Sequence, residues 1–263
     1  MTEHIGNLHM HVPVLLKKLT LIVVTAIMLS ACASQGGTHN ELHPDDPWER
    51  FNRGVWSFNR GLDKAIVKPI AQGYHYVTPN FLEDGISNFV DNLTYPVTVV
   101  NLLLQGRFRD FGTALGRLVL NSTFGLGGLV DVATVEGITR HDEDFGQTFA
   151  VWGWRDSPYL MLPFLGPSTL RDGIGQVPEI WTDGVSIVGR ETGRIEPLIG
   201  TILSARVDLL DRDEEIDAAV DDYLFVRDAW LQNRRFKISN GNNDLPDYEF
   251  FLDEGESPDA TQE

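Results

Sequence analysis

Cysteine, basic residues and long apolar runs are all scarce in this chain, and each scarcity excludes a class of protein. One cysteine among 263 residues excludes a disulfide framework and a metal site built from several cysteines. Lysine and arginine number 21 against 38 acidic residues, so the formal net charge is -17. Nucleic acid is not an expected partner, because binding it requires a basic face. The same acidity argues against broad electrostatic docking on anionic lipid.

Catalytic motifs are also missing. The chain has no Gly-x-Ser-x-Gly elbow and no His-Glu-x-x-His pair. Paired acids such as Asp142/Asp144 and Asp221/Asp222 are better explained as helix caps and solvated faces. We therefore expect no enzyme, no cofactor and no metal site. A lipolytic enzyme stays open as an alternative, but it needs a nucleophile with a base in reach, and the sequence offers none.

The N-terminal segment has the order of an export signal. Lys17-Lys18 precede an apolar run from Leu19 to Leu29, which is shorter than the roughly 20 residues that span a bilayer. The sequence Leu29-Ser30-Ala31-Cys32 follows, and it resembles a bacterial lipobox. We predict a signal peptide over residues 1–31, acylation of Cys32, and a flexible tether over 32–45. Several acyl chains anchor a protein stably. Because no Asp follows Cys32 directly, we expect sorting to the outer membrane of a Gram-negative bacterium.

Helical periodicity dominates the rest of the chain. No sustained period-2 alternation occurs, so we expect a mostly α-helical single domain over 46–240 and an acidic, disordered tail over 241–263. A cap at Asp46 with Pro47 behind it predicts the first helix start. Thr78-Pro79 predicts a second start, and Tyr95-Pro96 predicts a third after a break at Asn92.

Residues 109–121 predict an amphipathic helix in which Gly112 and Gly116 allow close backbone approach. Its apolar stripe includes Ala114, and Arg117 is expected to avoid that stripe. A single helix is predicted over 213–234, and prolines predict an irregular apolar segment over 159–167.

Two short motifs are candidates for function. Phe51-Asn52 and Phe58-Asn59 are seven residues apart, which is about two helical turns, so both pairs share one face. Their spacing alone favours an N-terminal helix that docks on the core. A glycine-rich stretch over 124–131 follows a helix and has no Lys-Ser/Thr pair, so it is not a phosphate-binding loop. A mobile apolar loop along a lipid path and a tightly packed turn both remain open for it.

Taken together, these segments resemble the MlaA (VacJ) family of outer-membrane lipoproteins, over roughly 45–235 and at the lipobox. The pieces that carry the resemblance are short and occur in the family's order: 46–53, Phe58-Asn59, 87–89, Asn92-Leu93, Pro96, Asn101, 104–106, Arg117, 121–123, 125–128, 131–133, 145–148 and 162–172.

The resemblance implies a ring of amphipathic helices that lies in the inner leaflet of the outer membrane around a central channel. It implies a trimeric outer-membrane porin as one partner and a periplasmic phospholipid-binding carrier as another, with misplaced phospholipid removed from the outer leaflet in the retrograde direction. A structural porin-associated lipoprotein without transport is the alternative. The family pattern implies gate or channel positions at Phe51, Asn52, Phe58, Asn59, Gly125, Gly127, Gly128 and Asp131.

Overall fold

A computed structural model describes residues 43–192 and 196–241 of the chain. Cys32, the signal segment, most of the tether and the tail beyond Gly241 lie outside these residues, so acylation and the domain limits stay predictions. Within the described ranges, no helix has both the length and the apolar content needed to cross a membrane. Helices make up most of the described chain, so the predicted fold class, mostly α-helical, is confirmed.

The described chain begins with a long helical rod. It consists of α1 (Glu49–Leu62), a π-helical stretch (Asp63–Val67) and α2 (Lys68–Val77). The predicted cap at Asp46 is wrong, because the helix begins at Glu49 behind Trp48 without a side-chain cap. Asp46 is fully buried instead and accepts hydrogen bonds from Tyr223 at 2.5 Å and Asn52 at 2.8 Å. A buried carboxylate requires such donors. Because the Asp46 carboxylate accepts these bonds, it does not cap the N-terminus of α1.

Two proline-led helices follow the rod. Helix α3 (Asn80–Thr94) begins directly after Pro79, and α4 (Pro96–Leu104) carries Pro96 at its first turn. Both starts were predicted, since proline suits the first turn of a helix and disfavours helical backbone before it. The break between the two helices falls at Tyr95 and not at Asn92.

Helix α5 (Phe108–Thr123) packs on α4, and a loop joins it to the short α6 (Val132–Val135). Ala114 of the predicted apolar stripe is buried in a cluster with Tyr95, Val99 and Leu102. The expected close approach at the two helical glycines is wrong: a Cβ added to Gly112 or Gly116 would meet nothing within 4 Å.

A β-hairpin interrupts the helices. After α7 (Phe145–Val151), strands β1 (Tyr159–Leu162) and β2 (Gly166–Thr169) pair antiparallel with Met161 opposite Pro167, and α8 (Leu170–Thr182) follows. The predicted irregular segment is therefore wrong. Both strands of a two-stranded sheet are edges, so Pro167 removes no hydrogen bond that the sheet needs.

The last elements are α9 (Gly184–Thr192), α10 (Glu196–Val207), a 3-10 turn (Leu210–Arg212), α11 (Asp213–Ala218) and α12 (Asp222–Ile238). The predicted single helix over 213–234 is wrong, because Ala219 is extended and Asp221 caps a second helix through the N–H of Leu224. Arg234 is buried between Asp144 and Asp172, at 2.5 and 2.9 Å.

Helix contacts close on themselves. Helix α1 packs on β1, β1 on α8, α8 on α9, α9 on α10, and α10 on α2, which continues from α1. This circuit has the ring-like order that the family resemblance implies. The interior of the described ranges is unusually polar, since it contains as many buried polar or charged residues as buried hydrophobic ones. Because buried charges require partners, paired arginines and carboxylates fix how the helices meet.

Candidate functional site

The residues singled out from the sequence lie at two places. One group is on α1 beside the hairpin and consists of Phe51, Asn52, Phe58 and Asn59. The other group belongs to the loop between α5 and α6 and consists of Gly125, Gly127, Gly128 and Asp131. Each place is described from its own contacts.

The first asparagine of the repeated Phe-Asn pair hydrogen-bonds to the backbone of β1. The Asn52 amide donates to the carbonyl of Tyr159 at 3.2 Å, and its oxygen accepts from the N–H of Met161 at 2.9 Å. Asn52 is fully buried, and Phe51 packs against the surrounding hydrophobic cluster. Here α1 supplies the hydrogen bonds that a third strand would otherwise supply.

The second asparagine repeats this contact at the turn of the hairpin. Asn59 donates to the carbonyl of Leu162 and accepts from the N–H of Phe164, both at 2.9 Å. Seven helical residues rise about 10.5 Å, and three strand residues span about 10 Å, so the repeat matches the strand. The exposed ring of Phe58 contacts the ring of Phe164 edge-on, with 5.2 Å between the ring centroids. The motif therefore docks α1 on the hairpin, and its part in a gate stays a prediction.

The glycine-rich loop contains three consecutive residues with positive φ: Leu126 at 54°, Gly127 at 75° and Gly128 at 102°. A Cβ on Gly128 would lie 2.5 Å from the side chain of Asn92, and one on Gly125 would lie 2.2 Å from the carbonyl of Val130. A Cβ on Gly127 would meet nothing within 4 Å. The packed-turn interpretation therefore holds for Gly125 and Gly128, while Gly127 lies at the open edge of the loop.

A buried ion pair anchors the end of this loop. Arg117 donates to both carboxylate oxygens of Asp131, at 2.9 and 2.8 Å, and also bonds to the carbonyl of Ile138. Arg117 was expected to avoid the buried face, and that expectation is wrong, since its side chain is only 3% exposed. Burial raises the pKa of Asp131, but hydrogen bonds from Thr134 and Asn121 and the charge of Arg117 outweigh it, so the net shift is downward.

A polar pocket lies between the loop, α3 and α5. It is a shallow cleft that opens to solvent: its cavity volume is about 20 Å³, and the figure reaches about 290 Å³ only when the solvent space at the mouth is included. Its lining consists of Asn88, Asp91, Asn92, Tyr95, Arg117, Asn121, Asp131 and Arg140. The side chains of Asn88 and Asn92 reach the loop carbonyls of Leu129 and Gly127, each at 3.4 Å. At the mouth, Arg140 donates to Asp91 at 2.8 Å.

Most of the pocket residues were missed as site residues by sequence reasoning; only Asp131 was named. A usable signal exists in the spacing, because Asn88/Asn92 and Arg117/Asn121 each stand four residues apart and so share a helix face. The contribution of Arg140 carried no local signal, since it follows α6 and meets Asp91, 49 residues earlier.

Exposed apolar side chains lie on the same loop and helix that contribute to this pocket. On the loop, Phe124, Leu126, Leu129 and Val130 are exposed, and on α3 so are Phe81, Leu82, Ile86 and Phe89. Exposed apolar area on this scale marks an interaction surface, because isolated soluble domains rarely leave so much uncovered. The site therefore combines charge-balanced polar groups with exposed apolar side chains on the same elements.

These features define a class: a mostly helical protein with a polar interior, exposed apolar helix faces and a polar cleft. A family model described as "MlaA lipoprotein" matches residues 44–237. The chain is 34% identical to the intermembrane phospholipid transport system lipoprotein MlaA of Escherichia coli K12, covering 87% of this chain and 91% of that protein. The protein of the same name from Haemophilus influenzae is 29% identical, covering 86% and 92%.

Comparison with solved structures agrees. A structure from work on the "structural basis for maintenance of bacterial outer membrane lipid asymmetry" matches with a TM-score of 0.65 and 32% identity, covering 73% of this chain and 98% of that one. The chain belongs to the MlaA lipoprotein family. That family is one of transport lipoproteins, so the resemblance drawn from the sequence motifs is confirmed.

Proposed function

We propose that this chain is an outer-membrane lipoprotein that removes misplaced phospholipid from the outer leaflet and passes it towards the periplasm. The exposed apolar helix faces, together with a polar cleft on the same elements, are the observation that carries this proposal. Acyl chains fit apolar helix faces that lie in the membrane interface. A phosphate-bearing head group requires a polar route, since leaving it bare in hydrocarbon is very costly.

The membrane position and the partners belong to the same proposal. Acylation of Cys32 would hold the chain at the membrane, and a net charge of -17 favours an aqueous exposure for its acidic side. A trimeric porin would support the ring, and a periplasmic carrier would accept the lipid. The glycine loop, with Gly125, Gly127, Gly128 and Asp131, and the Phe-Asn pairs of α1 would act as parts of the gate.

A loop variant separates transport from a purely structural role. Gly127→Ala combined with Gly128→Ala places two side chains at positive φ, each costing about 1–2 kcal/mol of backbone strain, and presses one of them on Asn92. We expect outer-leaflet phospholipid and detergent sensitivity to rise as in a deletion strain, while porin co-purification persists. A scaffold without transport would keep the wild-type phenotype.

The matched control is Gly106→Ala combined with Gly137→Ala. These glycines also have positive φ, 76° and 71°, and open surroundings, but they lie outside the loop. We expect this variant to behave as wild type. If deletion of the whole gene leaves outer-leaflet phospholipid unchanged, the transport proposal is wrong.

A further inference from the structure

Only part of the charge in the polar pocket is available to a ligand. Arg117 is almost fully buried and holds Asp131, Thr134 and the carbonyl of Ile138. Breaking such a pair leaves an uncompensated buried charge, which costs about 3–5 kcal/mol. Arg117 and Asp131 are therefore committed to the loop anchor, and Asp91 and Arg140 remain as the charged groups that can exchange.

The Asp91–Arg140 pair is easy to open. The two side chains are 42% and 50% exposed, and an exposed ion pair of this kind contributes only about 0.2–1 kcal/mol. Opening it presents one cation and one anion side by side at the mouth of the pocket. A ligand that carries both a phosphate and an amine could replace this one ion pair by two ion pairs, Arg140 with the phosphate and Asp91 with the amine. The net charge of the site would not change.

The amides of Asn88 and Asn92 supply further donors. Their bonds to the loop carbonyls are long, 3.4 Å each, and bonds of that length are weak. The Asn92 amide also donates to the hydroxyl of Ser122 at 3.0 Å, so only its donor towards the loop is readily exchanged. Phosphate oxygens are stronger acceptors than these carbonyls, because a hydrogen bond to an ionised acceptor is roughly twice as strong. A ligand on the amides would also release the loop from α3.

We propose that this pocket receives a zwitterionic phospholipid head group, with the phosphate on Arg140, Asn88 and Asn92 and the primary amine on Asp91. The loop and α3, which carry pocket residues, also expose apolar side chains that acyl chains can contact. A net-anionic head group fits less well, since Glu83 and Asp208 add negative charge on the Asp91 side. The assignment rests on the proposed function, because it requires phospholipid to reach the cleft.

The test uses the full acylated chain, purified in detergent and mixed with vesicles of equal phosphatidylethanolamine and phosphatidylglycerol, followed by mass spectrometry of retained lipid. We expect wild type to enrich phosphatidylethanolamine over phosphatidylglycerol. Asp91→Asn should lower this enrichment about three- to fivefold, because it removes the ion pair with the amine and leaves the phosphate contacts in place. Arg140→Gln should lower retention of both lipids by similar factors, because both carry a phosphate.

Asp45→Asn and Arg235→Gln are the matched controls. They open another exposed pair, 39% and 58% exposed, outside the pocket, and should retain wild-type lipid. Equal retention of both lipids by wild type, or an unchanged ratio in Asp91→Asn, overturns the head-group assignment while leaving transport intact. A wild-type chain that retains no lipid contradicts the proposed function itself.

Two soluble probes distinguish the source of the phosphate. Glycerophosphoethanolamine and inorganic phosphate are titrated separately against the same protein. We expect both to bind at least about 100-fold more weakly than the lipid, because they lack acyl chains that contact the exposed apolar side chains. Soluble binding as tight as lipid binding would overturn the assignment to a membrane lipid.

Discussion

The buried Asn52 carries more of the hairpin contact than its half-buried counterpart Asn59 does. The amide of Asn52 donates hydrogen bonds to Asp46 and to the carbonyl of Tyr159, and its oxygen accepts one from the N–H of Met161. Because the site is buried, water cannot take over these bonds. We expect Asn52→Ala to lower the free energy of unfolding by about 2–4 kcal/mol, because buried polar groups lose their partners. Denaturant unfolding of the purified chain measures the change.

Asn59→Ala is the internal control for that substitution. Asn59 makes the same two kinds of backbone bond, but water can reach its partner Phe164. We expect a loss of about 1 kcal/mol. Equal losses at Asn52 and Asn59 would contradict the burial argument.

Sequence spacing predicted part of this residue-level chemistry and missed the rest for a physical reason. The seven-residue repeat predicted that both asparagines share a face, and the structure places both on β1. The fate of Asp46 depends on Tyr223 and Arg227, which follow it by 177 and 181 residues. Such long-range pairs leave no local pattern, so a helix cap was the better local prediction.

Glu179 makes stability depend on pH. Burial raises its pKa from 4.5 to about 7, Asp144 adds to the rise, and the Phe145 N–H and Arg234 oppose it. Because the folded-state pKa is the higher one, this group stabilises the fold below pH 4.5 and loses that contribution as pH rises towards 7 and beyond.

Glu179→Gln keeps an acceptor for the Phe145 N–H and removes the charge. We expect the variant to gain stability relative to wild type by about 1–2 kcal/mol between pH 4.5 and pH 8, after allowing for partial solvent access. Unfolding curves of both proteins across that range give the difference. A difference that does not vary with pH would contradict the raised pKa.

At the scale of elements, the contact between α7 and α8 depends on two glycines. A Cβ on Gly175 of α8 would lie 2.8 Å from the backbone nitrogen of Gly146 on α7. We expect Gly175→Ala to separate the helices and lower the free energy of unfolding by about 1–3 kcal/mol. Thermal unfolding of the purified chain tests this expectation.

Gly116→Ala is the control with the opposite sign. Gly116 also lies within a helix, but nothing stands within 4 Å of the added Cβ. Alanine should therefore stabilise α5 by about 0.5–1 kcal/mol, because glycine loses more backbone freedom on folding. Destabilisation by both substitutions would show that helix contacts do not distinguish the two positions.

Helix starts with a proline were predictable at this scale, and helix contacts were not. Pro79 and Pro96 act through their own backbone, so α3 and α4 begin where the sequence indicates. The break between α11 and α12 has no proline or glycine to mark it. Asp221 caps α12 there and also binds Arg53, 168 residues earlier, so the break depends on tertiary contacts.

At the scale of the whole molecule, apolar exposure and acidity act in opposite directions on membrane binding. The corner between α2 and α3 exposes Tyr76 to 90%, with Val77 and Phe81 beside it. A chain that begins at residue 33 lacks both the apolar signal segment and the predicted acylation site, so its bilayer binding depends on such surfaces. We expect Tyr76→Ser, Val77→Ser and Phe81→Ser together to weaken binding to neutral phosphatidylcholine vesicles at least about 100-fold, since each buried side chain contributes about 1.5–3 kcal/mol.

The control for that corner is Val220→Ser in the same chain. Val220 is fully exposed, but it stands alone between the acidic helix α11 and the Asp221-Asp222 pair, where lipid contact is not expected. Vesicle flotation should give wild-type binding for this control. Replacing a third of the neutral lipid by phosphatidylglycerol should weaken binding of the parent chain, because its net negative charge is repelled by an anionic surface. Equal binding by the triple variant and its parent would mean that the exposed corner does not contact lipid.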